Sequence, residues 1–311
     1  MDFRICPPQR VRGTKLPVTR YRFVNRWAEI PFRPIRPAPL VGFCAVLGIA
    51  LGSLSAMPAS AQGRLDARYE VTLAGIPVGR GAWTIEIAED HYSATVSGAT
   101  VGLLKAISGG HGNGAAQGRV VNGQFAPVNY TATSETSKKA ETIRIALNGG
   151  NVTESTITPE PPVDDARIPV TEAHRRGVLD PMTGSMIRVP GAGDPVGPEA
   201  CKSAAAIFDG RMRYDLRLEY KRMDTVKAEK GYRGPAVVCG IYFTPVSGYV
   251  PDRAAIKYLA AQKAMEVWLV PIAGTRVLVP FKLSIPTPLG HGVLIATQFN
   301  ATAVPPRAAT R

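Results

Sequence analysis

Residues 211–221 read RMRYDLRLEYK. The even positions, Met212, Tyr214, Leu216, Leu218 and Tyr220, are apolar or aromatic, while Arg211, Arg213, Asp215, Arg217, Glu219 and Lys221 are all charged. Side chains of an extended chain alternate between its faces, so this stretch predicts a strand with one apolar and one charged side. At about 3.4 Å per residue it would reach roughly 37 Å, well beyond an ordinary strand of about 5–6 residues. Strands of that length twist and curl, which predicts an antiparallel curved sheet, half-barrel or clam-like. Asp209-Gly210 reads as the tight turn leading in, because glycine supplies the positive φ such turns need.

Cys201 and Cys239 flank the strand. In an oxidising compartment they are a candidate disulfide closing a loop of 38 intervening steps, with roughly 4 kcal/mol of chain-entropy stabilisation. The bond would staple the long strand to its neighbour, 236–243. Their spacing matches no metal site, and two thiolates alone do not hold zinc.

Oxidising surroundings follow from the start of the chain. Residues 40–56, LVGFCAVLGIALGSLSA, are an uncharged apolar run after a basic arm and before Ala59-Ser60-Ala61. These are the three parts of a secretory signal, so 1–61 read as a signal peptide with an extended basic n-region, cleaved before Gln62. The destination is the periplasm. The alternative is an uncleaved inner-membrane anchor over 40–56, which is short for a span of about 20 residues. The whole chain has 37 basic and 24 acidic residues. Nine of the basic and two of the acidic ones precede Gln62, which leaves 28 against 22, or +6, for the exported part. That excess suits a solubilising charge or contact with anionic envelope components, and no basic–aromatic stripe points to nucleic acid.

Working outward, 62–302 read as a single mainly-β domain. Leu65 to Leu73, Trp83 to Ile87 and Tyr92 to Val96 alternate in strand fashion with short turns between them, so their pairing is antiparallel. The glycine- and alanine-rich stretch 98–118 reads as a mobile loop or weakly specified hairpin. Hairpins follow over 130–147 and at Asn148-Gly149-Gly150-Asn151. The prolines of 159–169 mark the best candidate for an internal boundary. Asp180-Pro181 predicts a short helix ending near Ile187, and Asp252 predicts the cap of a second. Strands resume at Met265 and run to Phe299. The count is ten or eleven strands and two short helices, with 303–311 a disordered tail.

Catalytic signals are absent from the pattern of residues. His91, His111, His174 and His291 show no zinc spacing and no HExxH. His111 lies in GGHGNG, but no G-x-S-x-G elbow accompanies it. Asp164-Asp165 begins no calcium-ligand ladder. No catalytic, cofactor-binding or metal residue is assigned. The aromatics Tyr214, Tyr220, Trp83, Trp268 and Phe281 read first as core. The concave apolar face is nevertheless the candidate seat of a lipid-like ligand, with Tyr214, Leu216, Leu218, Tyr220, Trp268 and Phe281 facing it. The charged face, through Arg211, Arg213 and Arg217, is the candidate partner surface.

Several short motifs occur together: Val178-Leu179-Asp180-Pro181, Phe208-Asp209-Gly210-Arg211 with Arg213-Tyr214-Asp215, 265–269 (MEVWL) and 284–290 (SIPTPLG). In that order the chain resembles domain-of-unknown-function family 3108, exported proteins of Gram-negative bacteria, over about 65–300. The resemblance implies a periplasmic, mainly β, half-barrel or clam-like protein and no activity. The expectation is a non-catalytic periplasmic protein binding a lipid-like ligand or a cell-envelope component. The alternatives are an envelope structural or assembly factor acting through the charged face, and a hydrolase.

Overall fold

The computed structural model describes residues 62–102, 105 and 109–305, all within one compact unit. The expected signal and anchor residues lie outside the described residues.

The chain opens as a meander of β1 (Gly63–Leu73), β2 (Ile76–Ile87), β3 (His91–Thr100), β4 (Gly110–Val121), β5 (Gln124–Thr136), β6 (Ala140–Asn148) and β7 (Asn151–Thr158). Each strand pairs antiparallel with the next. Ala74-Gly75, Asn122-Gly123 and Gly149-Gly150 all have positive φ, the backbone that a two-residue hairpin turn requires. A crossover over 159–203 carries α1 (Pro181–Gly184), β8 (Ile187–Arg188) and a 3-10 turn, Pro198–Cys201. Then come β9 (Ala204–Phe208), β10 (Arg213–Lys227), β11 (Lys230–Gly231), β12 (Arg233–Ser247), α2 (Ala254–Ala261), β13 (Glu266–Pro271), β14 (Val277–Thr287) and β15 (Gly290–Ala303).

The sheet runs β7-β6-β5-β4-β3-β2-β1-β15-β14-β13-β12-β10-β9, with β8 and β11 added beside β14 and β15. The mainly β, curved antiparallel class read from 211–221 is therefore the class observed. The sheet's two ends are brought together by two residues of the crossover. Val178 N–H donates to Gly150 O beside β7, while Leu179 exchanges bonds with Ala206 and Phe208 on β9, at 2.8–2.9 Å. Ile145, Leu147, Val178 and Phe208 bury a small cluster at this join, and Arg211 makes an ion pair with Glu141 across it.

The main core lies on the inward positions of β1–β4 and β12–β15, from Leu65, Ile85 and Tyr92 to Val279, Phe281 and Phe299. A second cluster covers the other face of β12–β14, with Val237, Leu269 and Leu278 packed under Val189, Val196 and Cys201. Being buried on both faces, β12 and β13 read as continuous apolar runs (AVVCG, VWLV) rather than alternations. Cys201 and Cys239 form the disulfide, with Cα atoms 5.5 Å apart. It fastens the 3-10 turn onto β12 rather than β10 to its neighbour, as the sequence suggested.

Other expectations change. Residues 110–118, expected in a loop or weak hairpin, are strand β4, because backbone pairing with β3 and β5 needs no side chains. The first helix stops at Gly184, not near Ile187, since Ile187–Arg188 is recruited to pair with β14. Asp180 caps it as expected, accepting from the N–H groups of Met182 and Thr183. Asp252 caps nothing; it pairs with Lys257 Nζ at 2.8 Å, and Arg253 holds the cap position. Ala303 belongs to β15 and Val304 donates to Gln62 O, so the ordered chain extends into the expected tail. The strand count rises to fifteen among the described residues, two of them two residues long.

Candidate functional site

An apolar cavity of about 690 Å³ lies over β2–β5 and the adjoining parts of β1, β14 and β15. Its existence traces to a transverse row of glycines. Gly81 on β2 stands opposite Gly98 on β3, which stands opposite Gly112 on β4. Three adjacent strands thus present bare backbone at the same level, and the space that three side chains would fill is left open. Aromatic and aliphatic groups enclose it: Tyr69, opposite Gly81 on β1, with Trp83, Tyr130, Leu283 and Leu294. Gly114 also lines it, with the Met182 sulfur 3.3 Å from where a Cβ would stand.

Polar groups in this lining are few. Tyr69 donates its hydroxyl to Pro280 O at 2.8 Å, and burial pushes its phenol far above the ordinary range. Tyr130 is pushed up to about 12, first by burial and then by the nearby Asp180 and Asp209 carboxylates. Trp83 is nine-tenths buried, and its indole Nε1–H has no partner. An indole N–H can only donate, and this one is closed off from the cavity as well as unpaired.

Near Tyr130 sit two carboxyls, Asp180 buried and Asp209 half-buried. Asp180 is fully buried and accepts from the Met182 and Thr183 N–H groups and from Thr183 Oγ1 at 2.6–3.0 Å; Tyr92 shares the Thr183 hydroxyl. Burial still raises its pKa. Asp209 accepts from the Arg211 and Met212 N–H groups, turning the chain into β10, and burial raises its pKa too. On the opposite face of the glycine row lies a polar depression of about 690 Å³, lined by Arg68, Glu70, Arg80, His111 and Glu229 among others.

None of the six residues expected on a ligand-facing surface lines the apolar cavity. Tyr214 packs on Phe243 at 5.4 Å and lies near Tyr130 and Asp209. Leu216 is half-buried, and Leu218 packs against the second cluster beside the disulfide. Tyr220 is 44% exposed, a correction to its inward placement. The second cluster reaches β10 at Leu218 and not at Tyr220, and the bonding of β10 to the chain before it ends with Leu218 N–H to Ser203 O. Phe281 lies in the main core, stacked near Phe299 and Tyr232. Trp268 donates its indole N–H to Asp224 at 2.7 Å and lies under Lys282 and Arg222. Of the charged set, Arg211 is paired with Glu141, and Arg213 with Asp215 at 2.7 Å. Arg217 pairs with Glu219 and lies over the Tyr242 ring.

The residues that do line the cavity were legible only in part. Trp83 was among the aromatics weighed for it, whereas Gly98 and Gly112 fell in the expected loop. Their spacing carries no signal until the register sets them side by side.

The histidines fall on exposed turns and strands. His291 Nδ1 lies 3.2 Å from Ser284 Oγ on the β14–β15 hairpin, and His91 pairs with the adjacent Asp90. Among the described residues no cluster of three or more metal-ligating side chains occurs, and no helix is long and apolar enough to cross a membrane.

With this geometry in place, comparison with known proteins adds the following. The model of a protein family described as "Protein of unknown function (DUF3108)" matches residues 68–297. Comparison with curated proteins finds no match. Among solved structures, the chain is similar to a β-barrel-like protein of domain of unknown function DUF1849 from Brucella abortus. The likeness covers 79% of this chain and 100% of that one, at 7% identity and a TM-score of 0.42, a level that supports no inference about function.

Proposed function

We propose, from the premise that this chain belongs to the DUF3108 family of unknown function, that it is a non-catalytic periplasmic protein that holds a lipid-like ligand in the apolar cavity. The observation that carries this reading is the apolar space itself, about 690 Å³, opened by the glycine row and walled by Tyr69, Trp83, Tyr130, Leu283 and Leu294. Asp180 and Asp209 stand near Tyr130, so a neutral ligand suits the site better than a carboxylate. The volume matches that of ordinary small-molecule sites. Periplasmic residence is supported by the sequence signal and by the disulfide.

The test is native mass spectrometry and organic extraction of the chain purified after export. A lipid-like adduct that is lost on extraction, with a fall in Tm, is the expected result, since a ligand bound only to the folded state stabilises it. A protein that carries no adduct and takes up none when offered phospholipid would overturn the reading.

The alternative of an assembly factor acting through the charged strand face draws less support. Arg211 and Arg213 are taken up in ion pairs within the chain, and the charges along the exposed part of β10 suit an edge strand kept from pairing with another sheet.

A further inference from the structure

The two ends of the strands differ in character. In a meander the connections alternate between ends, so 74–75, the described residues 101, 102, 105 and 109, and 137–139, 209–212, 248–265 and 288–289 all lie where β1 finishes and β15 begins. They contain seven basic residues, five of them lysines, against two acids, a net +5. The first part of the crossover, 159–170, is tied to the same end by bonds between Ile168 and Gly248–Tyr249. Its three acids and one arginine lower the balance to +3. At the opposite end, 88–90, 122–123, 149–150, 228–232 and 272–276 contain two basic residues and three acids, a net −1.

Apolar groups stand in water at the basic end, as Val121 and Val304 do at the other. Ile76 and Leu289 are 63% and 75% exposed. They sit on touching turns, since Ala74 N–H donates to His291 O at 2.9 Å and the Gly290 Cα faces Ala74 closely enough that a Cβ would stand 2.9 Å from the Ala74 Cβ. Between β12 and β13 at this end lies α2, AAIKYLAA, in which Lys257 is the single charged residue; Ile256, Tyr258 and Leu259 are half-buried and the alanines are exposed. The cavity adjoins these turns: Val71, Val78, Thr100 and Leu294 of its lining come from the same strand ends.

We propose that this end of the sheet docks on an anionic phospholipid surface, with Ile76 and Leu289 entering the headgroup region and Lys105, Lys138 and Lys263 facing lipid phosphates; Lys139 and Lys257 are held by Glu141 and Asp252. Exposed apolar side chains and lysines at one end of a sheet are a combination that holds a protein in the plane of an interface: the apolar groups supply burial, and the cations supply attraction to anionic lipid. The placement would set the cavity beside the membrane from which a lipid-like ligand is drawn.

The docking does not require an occupied cavity, so its test and that of the cavity reading fail separately. All described strands and all three clusters lie within 62–305, so the chain from Gln62 carries the described fold without the apolar run 40–56. This chain is floated with vesicles of phosphatidylethanolamine and phosphatidylglycerol, and with phosphatidylcholine alone. Expected is co-flotation with the anionic vesicles at low salt, release at high salt, and little with phosphatidylcholine. The double variant Ile76→Glu, Leu289→Glu should bind about tenfold more weakly, with the wild-type Tm and an unchanged adduct in native mass spectrometry. Lys138→Glu with Lys139→Glu should weaken binding to anionic vesicles as well. No binding to either vesicle, equal binding to both, or undiminished binding by the Ile76/Leu289 variant would overturn the proposal; the first outcome would leave these turns to a protein partner.

Discussion

Trp83 Nε1 is a donor held nine-tenths buried with nothing to bond, and its cost falls on whichever state lacks an acceptor. Trp83→Phe removes the donor and keeps a planar ring. In the empty protein the change should be neutral or stabilising by about 1 kcal/mol, because one unsatisfied group disappears. Ligand affinity should stay within about twofold, because the N–H is closed off from the cavity. Tm of the extracted protein together with ligand titration checks both; a loss of Tm would show that the N–H has a partner in the folded chain. Tyr220 teaches a different lesson at this scale. Its alternation with charged neighbours predicts a buried ring, yet another segment must lie over that face to cover it, and the second cluster reaches Leu218 but not Tyr220. Burial of one side chain depends on the length of another segment.

At the level of elements, the glycine row decides where the cavity lies. A Cβ added at Gly98 would meet nothing nearer than Arg80 O at 3.6 Å, ordinary contact, whereas one at Gly112 would stand 2.8 Å from Thr133 O. Gly98→Ala should therefore stabilise by roughly 0.5–1 kcal/mol through reduced chain entropy in the unfolded state, and Gly112→Ala should destabilise. Gly98→Leu would put its side chain into the cavity and should displace ligand while the fold persists. Thermal melts of the three variants with native mass spectrometry check this; a Gly98→Leu protein that retains its full adduct would separate the cavity from the ligand. The long strand shows the complementary case. Residues 211–221 announce β10, and β10 is observed over Arg213–Lys227, yet its charged positions mainly keep a partly free edge soluble. The strand organises the sheet without contributing to the site.

For the molecule as a whole, two carboxyls, Asp180 buried and Asp209 half-buried, tie stability to pH. Asp180 and Asp209 both have pKa values raised by burial. A carboxyl that holds its proton more tightly folded than unfolded gives stability that falls as pH rises from its ordinary value, 3.8, through its raised one. Exposed partners work the other way: Asp66, bonded by Arg64, and Glu266, bonded by Arg222, have lowered values, and their contribution is lost only as pH falls below the usual carboxylate range. The Tm maximum should then lie on the acid side of neutrality, and Asp180→Asn, which retains a capping oxygen, should flatten the decline above about pH 4. Parallel Tm–pH curves for wild type and variant would remove Asp180 from this role.

The sequence by itself determined the fold class, the long strand, the turns at Asp209-Gly210 and Gly149-Gly150, and the cysteine pair. Each of these follows from a property carried within a few residues: alternation, permitted φ, or a count of thiols. Only the tertiary structure decided that 110–118 is a strand, that Gly81, Gly98 and Gly112 align into one bare row, and that Val178 and Leu179 join the sheet's two ends. Those facts depend on register between strands distant in the chain, and register is set by the packing of whole faces, which no local pattern encodes.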